Sequence, residues 1–129
     1  MKEKKKANVL LVDGDKISRM FYSAILENYS VNISANIYEA ESGASAKKII
    51  FKLEERQDRF DLAIIYQKLE DMPGREICQL IREKNENAKI IAATTNPCNY
   101  RLNNAKEEGF DNYLVKPVTV QRFLEVIQN

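Results

Sequence analysis

The chain has 129 residues, 44% hydrophobic and 30% charged, with a net charge of +1 at pH 7. That size and balance suit one globular domain with its own core, and the near-zero charge gives no global pull toward nucleic acid or an anionic membrane. The absence of histidine excludes imidazole general bases, imidazole metal ligands and an internal phosphohistidine relay.

The run Lys2-Glu3-Lys4-Lys5-Lys6 reads as a solvated, frayed start rather than a nucleic-acid arm. No apolar run approaches the roughly 20 residues of a membrane span, and the charged beginning is unlike a signal peptide. A cytoplasmic protein is expected. Cys78 and Cys98 do not form a CxxC pair and read as two free, inert thiols.

Asn8 to Val12 is a short continuous apolar run, the pattern of a buried parallel strand. Asp13-Gly14-Asp15 turns out of it. Ile17, Met20, Phe21, Ala24, Ile25 and Leu26 then recur at helical spacing, with Asp15 or Ser18 as cap. A strand over Asn36 to Ala40 leads to the turn Glu41-Ser42-Gly43. Ala46, Ile49, Ile50 and Leu53 mark a helix from Ala44 to Arg56.

Phe60 to Tyr66 is the next strand, and Gln67 to Gly74 the loop after it. Ile77, Cys78, Leu80 and Ile81 predict a helix from Arg75 to Lys84. Ala88 to Ala93 is a strand, Thr94 to Asn99 a loop with Pro97, and Tyr100 to Glu108 a weakly patterned helix closed by Gly109. Phe110 to Val115 is the last strand. Lys116-Pro117 stops it, and Val120, Phe123, Leu124 and Ile127 stripe a final helix from Val118 to Ile127.

Five strands alternating with five helices require parallel pairing with helices on both faces. Right-handed crossovers then give a doubly wound α/β sandwich. Its functional edge lies beyond the carboxyl ends of the strands, where Asp13, Tyr66, Thr94 and Lys116 converge.

In this order the motifs resemble the receiver domain, the phospho-acceptor module of two-component response regulators, over essentially the whole chain. The resemblance rests on the acidic turn at Asp13, Glu41-Ser42-Gly43-Ala44-Ser45-Ala46, Asp61-Leu62-Ala63-Ile64-Ile65, the helix from Gly74 to Arg82, Ile90 to Thr94, and Gly109 to Pro117. It implies a flavodoxin-like sheet of order 2-1-3-4-5. It also implies an aspartate nucleophile at the third strand tip and an acidic pair that helps it hold Mg²⁺. A lysine after the fifth strand would neutralise the phosphoryl oxygens, a hydroxyl after the fourth would close onto them, and a fifth-strand aromatic would rotate.

Against that pattern, the acceptor position falls on Tyr66 and the second acid of the pair on Gly14, leaving Asp13, with Asp15 one place late. Thr94, Tyr113, Lys116 and Pro117 keep the residue types of the switch positions. Glu70 stands where the family has proline. Registering instead on Met72-Pro73 would place Leu69 at the acceptor position, again without a carboxylate. A phenol with a reference pKa of about 10 is a poor anion and a poor hard-metal ligand at neutral pH, so Mg²⁺ binding is expected to be weak or absent.

The resulting expectation is an atypical receiver, not an enzyme and without a cofactor, that works by protein contact. Tyr66 would fill the vacated pocket with its hydroxyl bonded to a neighbour such as Lys116 or Asp13, and Lys116 would bind an anion or pair with Asp13 or Asp15. The contact face would be formed by the fourth helix, fifth strand and fifth helix, the face through which receivers also dimerise. The span 1–129 would be one domain, with a linker to an output module starting near Gln128-Asn129. A regulator phosphorylated in a non-standard way is one alternative. Another is a small Mg²⁺-dependent phosphatase of the haloacid dehalogenase type, with Asp13 as nucleophile and Asp15 as acid–base, though such an enzyme needs an acidic pair beyond Lys116 where the chain has only Glu125.

Overall fold

The computed structural model describes residues 6–29, 34–95 and 101–128. Their elements are β1 (Lys6–Val12), α1 (Lys16–Tyr29), β2 (Ser34–Ala40), α2 (Gly43–Glu55), β3 (Leu62–Tyr66), α3 (Gly74–Lys84), β4 (Lys89–Thr94), α4 (Leu102–Glu107), β5 (Asn112–Val115) and α5 (Val120–Gln128). The strands form one parallel sheet of order β2-β1-β3-β4-β5. This is the doubly wound, flavodoxin-like order that the alternation and the resemblance predict.

Alternate residues of each strand enter opposite layers, as the pleat requires. Leu10, Val12, Ala63, Ile65, Ile90 and Ala92 face α2, α3 and α4, with Ala46, Ile50, Ile77, Ile81 and Ala105 opposite them. Val9, Leu11, Ile64, Ile91, Ala93 and Leu114 face α1 and α5, against Tyr22, Ile25, Leu26, Phe123 and Val126. Tyr66 packs against both layers because it lies at the sheet's end, where the two meet.

Local chemistry sets the helix starts. Asp15 caps α1, its carboxylate accepting from the Ile17 N–H at 3.1 Å and the Ser18 hydroxyl at 2.8 Å. Ser42 caps α2 in a reciprocal box with Ser45. Gly109 follows α4 at φ 101°, a left-handed position that glycine adopts without strain.

Three sequence expectations need correction. The buried stripe of α1 is Tyr22, Ile25 and Leu26, while Ile17 and Met20 are 76% and 57% exposed; the apolar spacing continues onto a second face, and Tyr22 carries the core contact by stacking on Phe123 at 5.4 Å. β1 begins at Lys6, because Lys6 and Ala7 pair with Ser34 and Ala35 of β2. In α5, Val126 is buried and Val120, Leu124 and Ile127 are only partly so. Cys98, Pro97, Tyr100 and the charged start before Lys6 lie outside the described residues.

Candidate functional site

Four strand tips converge at one edge. Asp13 follows β1 directly, pinned by its N–H to the Ala40 carbonyl at 3.0 Å, and is 3% exposed. A buried carboxylate needs a counter-charge and donors. Its Oδ2 meets Lys116 Nζ at 2.6 Å, and its Oδ1 accepts from the Asp15 N–H at 2.9 Å. Arg19 donates from Nη1 to the Asp13 carbonyl and from Nε to Glu39 at 2.9 Å, tying the tips of β1 and β2 through α1.

Lys116 arrives from β5, its N–H on the Thr94 carbonyl at 2.8 Å and its bond to Pro117 cis. Its ammonium also lies 4.3 Å from the centroid of the Tyr66 ring, a cation–π distance. Of the options open for Lys116, the structure shows the ion pair with Asp13. The Tyr66 hydroxyl goes elsewhere, pairing with Thr95 Oγ1 at 3.2 Å. The hydroxyl thus bonds a neighbour as expected, but that neighbour is neither Lys116 nor Asp13: the ring, not the oxygen, receives the lysine.

The expected filling of the pocket is also corrected. A depression of about 500 Å³ remains, lined by Asp13, Gly14, Tyr66 and Lys116 with the charged side chains Glu41 and Glu70. Tyr66 forms one wall instead of occupying the space because its hydroxyl is drawn to Thr95. Gly14 has room for a side chain: a Cβ there would meet nothing closer than the Glu41 carbonyl at 3.6 Å.

The other switch-type positions are dispersed. Thr94 is buried and donates to Gln67 Oε1 at 2.9 Å. Tyr113 stands opposite Ala92 and packs on the layer of α2, α3 and α4. Pro117 lines a second, more apolar depression beside α1, of about 450 Å³.

Tyr66 ends β3, whereas Leu69 is 8% exposed and joins the core. Gly74 abuts the strand end so closely that a Cβ would lie 2.4 Å from the Tyr66 carbonyl.

Sequence reasoning gave no role to Gln67 or Asp71 and no partner to Thr95. The Asp71 carboxylate accepts the N–H groups of Gly43 and Ala44, each at 2.9 Å, and ties this loop to the start of α2. Those donors, Gly43 first, hold its pKa below the ordinary carboxylate value. Its loop position gave no periodic signal. Asp15 is likewise lowered, first by the Ser18 hydroxyl.

A parallel 2-1-3-4-5 sheet with an acid after its first strand and a lysine–proline after its fifth defines a class, and comparison with known proteins agrees. Residues 9–128 match the response regulator receiver domain family. The chain belongs to that family, whose members serve two-component signalling. It is 30% identical over 123 residues to the response regulator ArlR of Staphylococcus epidermidis, covering 94% of this chain and 51% of that protein. It is 25% identical over 124 residues to the sensor protein GacS of Pseudomonas syringae, covering 92% of this chain and 13% of the relative. The CheY-like receiver domain protein of Methanospirillum hungatei superposes with a TM-score of 0.73 at 28% identity, over 96% of this chain and 92% of the other. This chain thus spans about half the length of one of those two longer relatives and a small part of the other.

The Mg²⁺ that the family implies needs hard oxygen donors. Gly14 supplies none, Tyr66 supplies a phenol turned to Thr95, and both oxygens of Asp13 are engaged by Lys116 and the Asp15 N–H. Among the described residues no three His, Cys, Asp or Glu side chains group as metal ligands. The residues present do not fit the ion. Asp15, the acid–base of the phosphatase alternative, is engaged in capping α1.

Proposed function

We propose that this chain is an atypical receiver, a signalling module that works by protein contact and has lost phosphoryl acceptance by aspartate. The observation that carries this reading is at the β3 tip. Tyr66 stands there with no carboxylate, while the Lys116 ammonium is already committed to Asp13 at 2.6 Å. A phosphoryl group would find neither its nucleophile nor a free counter-charge.

The α4–β5–α5 face is the contact surface in this reading, for a signalling partner or for a second copy. It offers the exposed Leu102 on α4 and the half-buried Tyr113 on β5. The module serves in the cytoplasm, without enzymatic activity of its own. No helix among the described residues is long and apolar enough to cross a membrane.

Intact mass after incubation with acetyl phosphate and Mg²⁺ tests the proposal. The natural chain should gain nothing. A base-labile gain of one phosphoryl group would overturn it. The double variant Gly14→Asp/Tyr66→Asp is the positive control: Gly14 has space for the side chain, and the pair restores the missing carboxylates, so acyl phosphate should form.

A further inference from the structure

Tyr66 and Gln67 are consecutive where β3 ends, and Thr94 and Thr95 are consecutive where β4 ends. The backbone ladder already joins the two tips through the Gln67 N–H and the Ala93 carbonyl at 2.8 Å. Two side-chain bonds extend the join beyond the ladder. Thr94 Oγ1 donates to Gln67 Oε1 at 2.9 Å, and Tyr66 Oη pairs with Thr95 Oγ1 at 3.2 Å.

The two bonds differ in setting. Thr94 is 2% exposed, so its hydroxyl needs a partner inside the protein. The Tyr66–Thr95 pair is open to water and correspondingly easier to break. Lys116 steadies the outer bond from behind, since its ammonium lies against the Tyr66 ring while held by Asp13. Side-chain contacts therefore link the tips of β1, β3, β4 and β5 in addition to the backbone ladder.

We infer that Tyr66 and Gln67 clasp Thr94 and Thr95, holding the β4 tip in one position in the unmodified chain. The inference rests on the reading that Tyr66 is not a phospho-acceptor, and it adds what that residue does instead. The outer bond is the yielding half of the clasp and the inner bond its anchor. A partner that competes for the Tyr66 or Thr95 hydroxyl would release the β4 tip without any group transfer.

Amide hydrogen exchange tests this on Tyr66→Phe, Thr95→Val and their double variant. Tyr66→Phe keeps the ring over which Lys116 sits and removes only the hydroxyl. Each single variant should speed exchange at the β4 tip by about threefold to tenfold, the size of one neutral hydrogen bond. The double variant should be no faster than either single one, because both remove the same bond. Exchange in α2 should stay as in the natural chain. Gln67→Leu, which removes the acceptor of the buried Thr94 hydroxyl, should have the larger effect. Unchanged exchange in Tyr66→Phe, multiplying effects in the double variant, or equal speeding in α2 would each overturn the clasp. The phosphodonor experiment is separate, so failure of the proposed function and failure of the clasp are distinguishable.

Discussion

At the scale of single residues, Lys116 and Asp13 form the pair with most at stake. Asp13 is 3% exposed and its partner is close at 2.6 Å. Breaking a buried pair from one side costs several kcal/mol, because the remaining charge stays desolvated. Lys116→Met should destabilise by about 3 kcal/mol in urea unfolding, and adding Asp13→Asn should recover a large part of the loss. An additive double variant would show that the two residues do not act as a pair. Tyr22 presents the opposite case. It is 2% exposed, its hydroxyl has no hydrogen-bond partner among the described residues, and burial with the Asp13 and Asp15 charges pushes its pKa up. Tyr22→Phe keeps the stack on Phe123 and removes an unsatisfied donor, so it should stabilise by about 1 kcal/mol, read as a raised thermal midpoint. Cys78 needs no functional account: burial pushes its thiol up to about 12, so it is protonated and unreactive at neutral pH.

Among the elements, the β3–α3 loop sets the shape of the site more than any helix does. Asp71 anchors it to α2 through Gly43 and Ala44. Those donors lower the folded-state pKa, so the unfolded chain binds the proton at higher pH. The stabilisation is therefore fully present above the ordinary value of about 4 and is lost as pH falls through the lower folded value. Thermal melts of Asp71→Ala should show a lower midpoint than the natural chain at pH 7, with the gap closing toward pH 2. A gap independent of pH would assign the loss to packing instead of to the anchor. Gly74 closes the same loop against the Tyr66 carbonyl. Gly74→Ala forces backbone apart and should cost about 2 kcal/mol, measurable by urea unfolding.

The strands and most helices were legible because apolar periodicity survives in a single sequence. The terminal residues of β1 were not, since Lys6 is held in the strand by pairing with β2, a contact between distant segments. α1 was misread for a related reason: Ile17 and Met20 satisfy the helical period but lie on the outer face, while Tyr22 looks ambivalent until Phe123 is seen beneath it. Residue identity likewise carried much of the site, since Asp13, Tyr66, Thr94 and Lys116 sit at strand ends that topology gathers. The partners did not follow from identity. Where a phenol hydroxyl or a loop carboxylate turns depends on three-dimensional neighbours such as Thr95 and Gly43, and no spacing rule encodes them.

For the molecule as a whole, the two layers flanking the sheet share Tyr66 at their common end. On the function proposed above, an aspartate placed there would withdraw an aromatic ring from both layers at once, before the new carboxylate had a metal or a phosphoryl group to hold. A large-to-small change of that kind costs on the order of 3 kcal/mol, a large part of the margin by which small domains are stable. An acid placed at Gly14 first would meet no such steric obstacle. On the proposed reading, the two substitutions that would install phosphoryl chemistry are therefore ordered, one permissive and one obstructed, and the tyrosine is the ratchet between them.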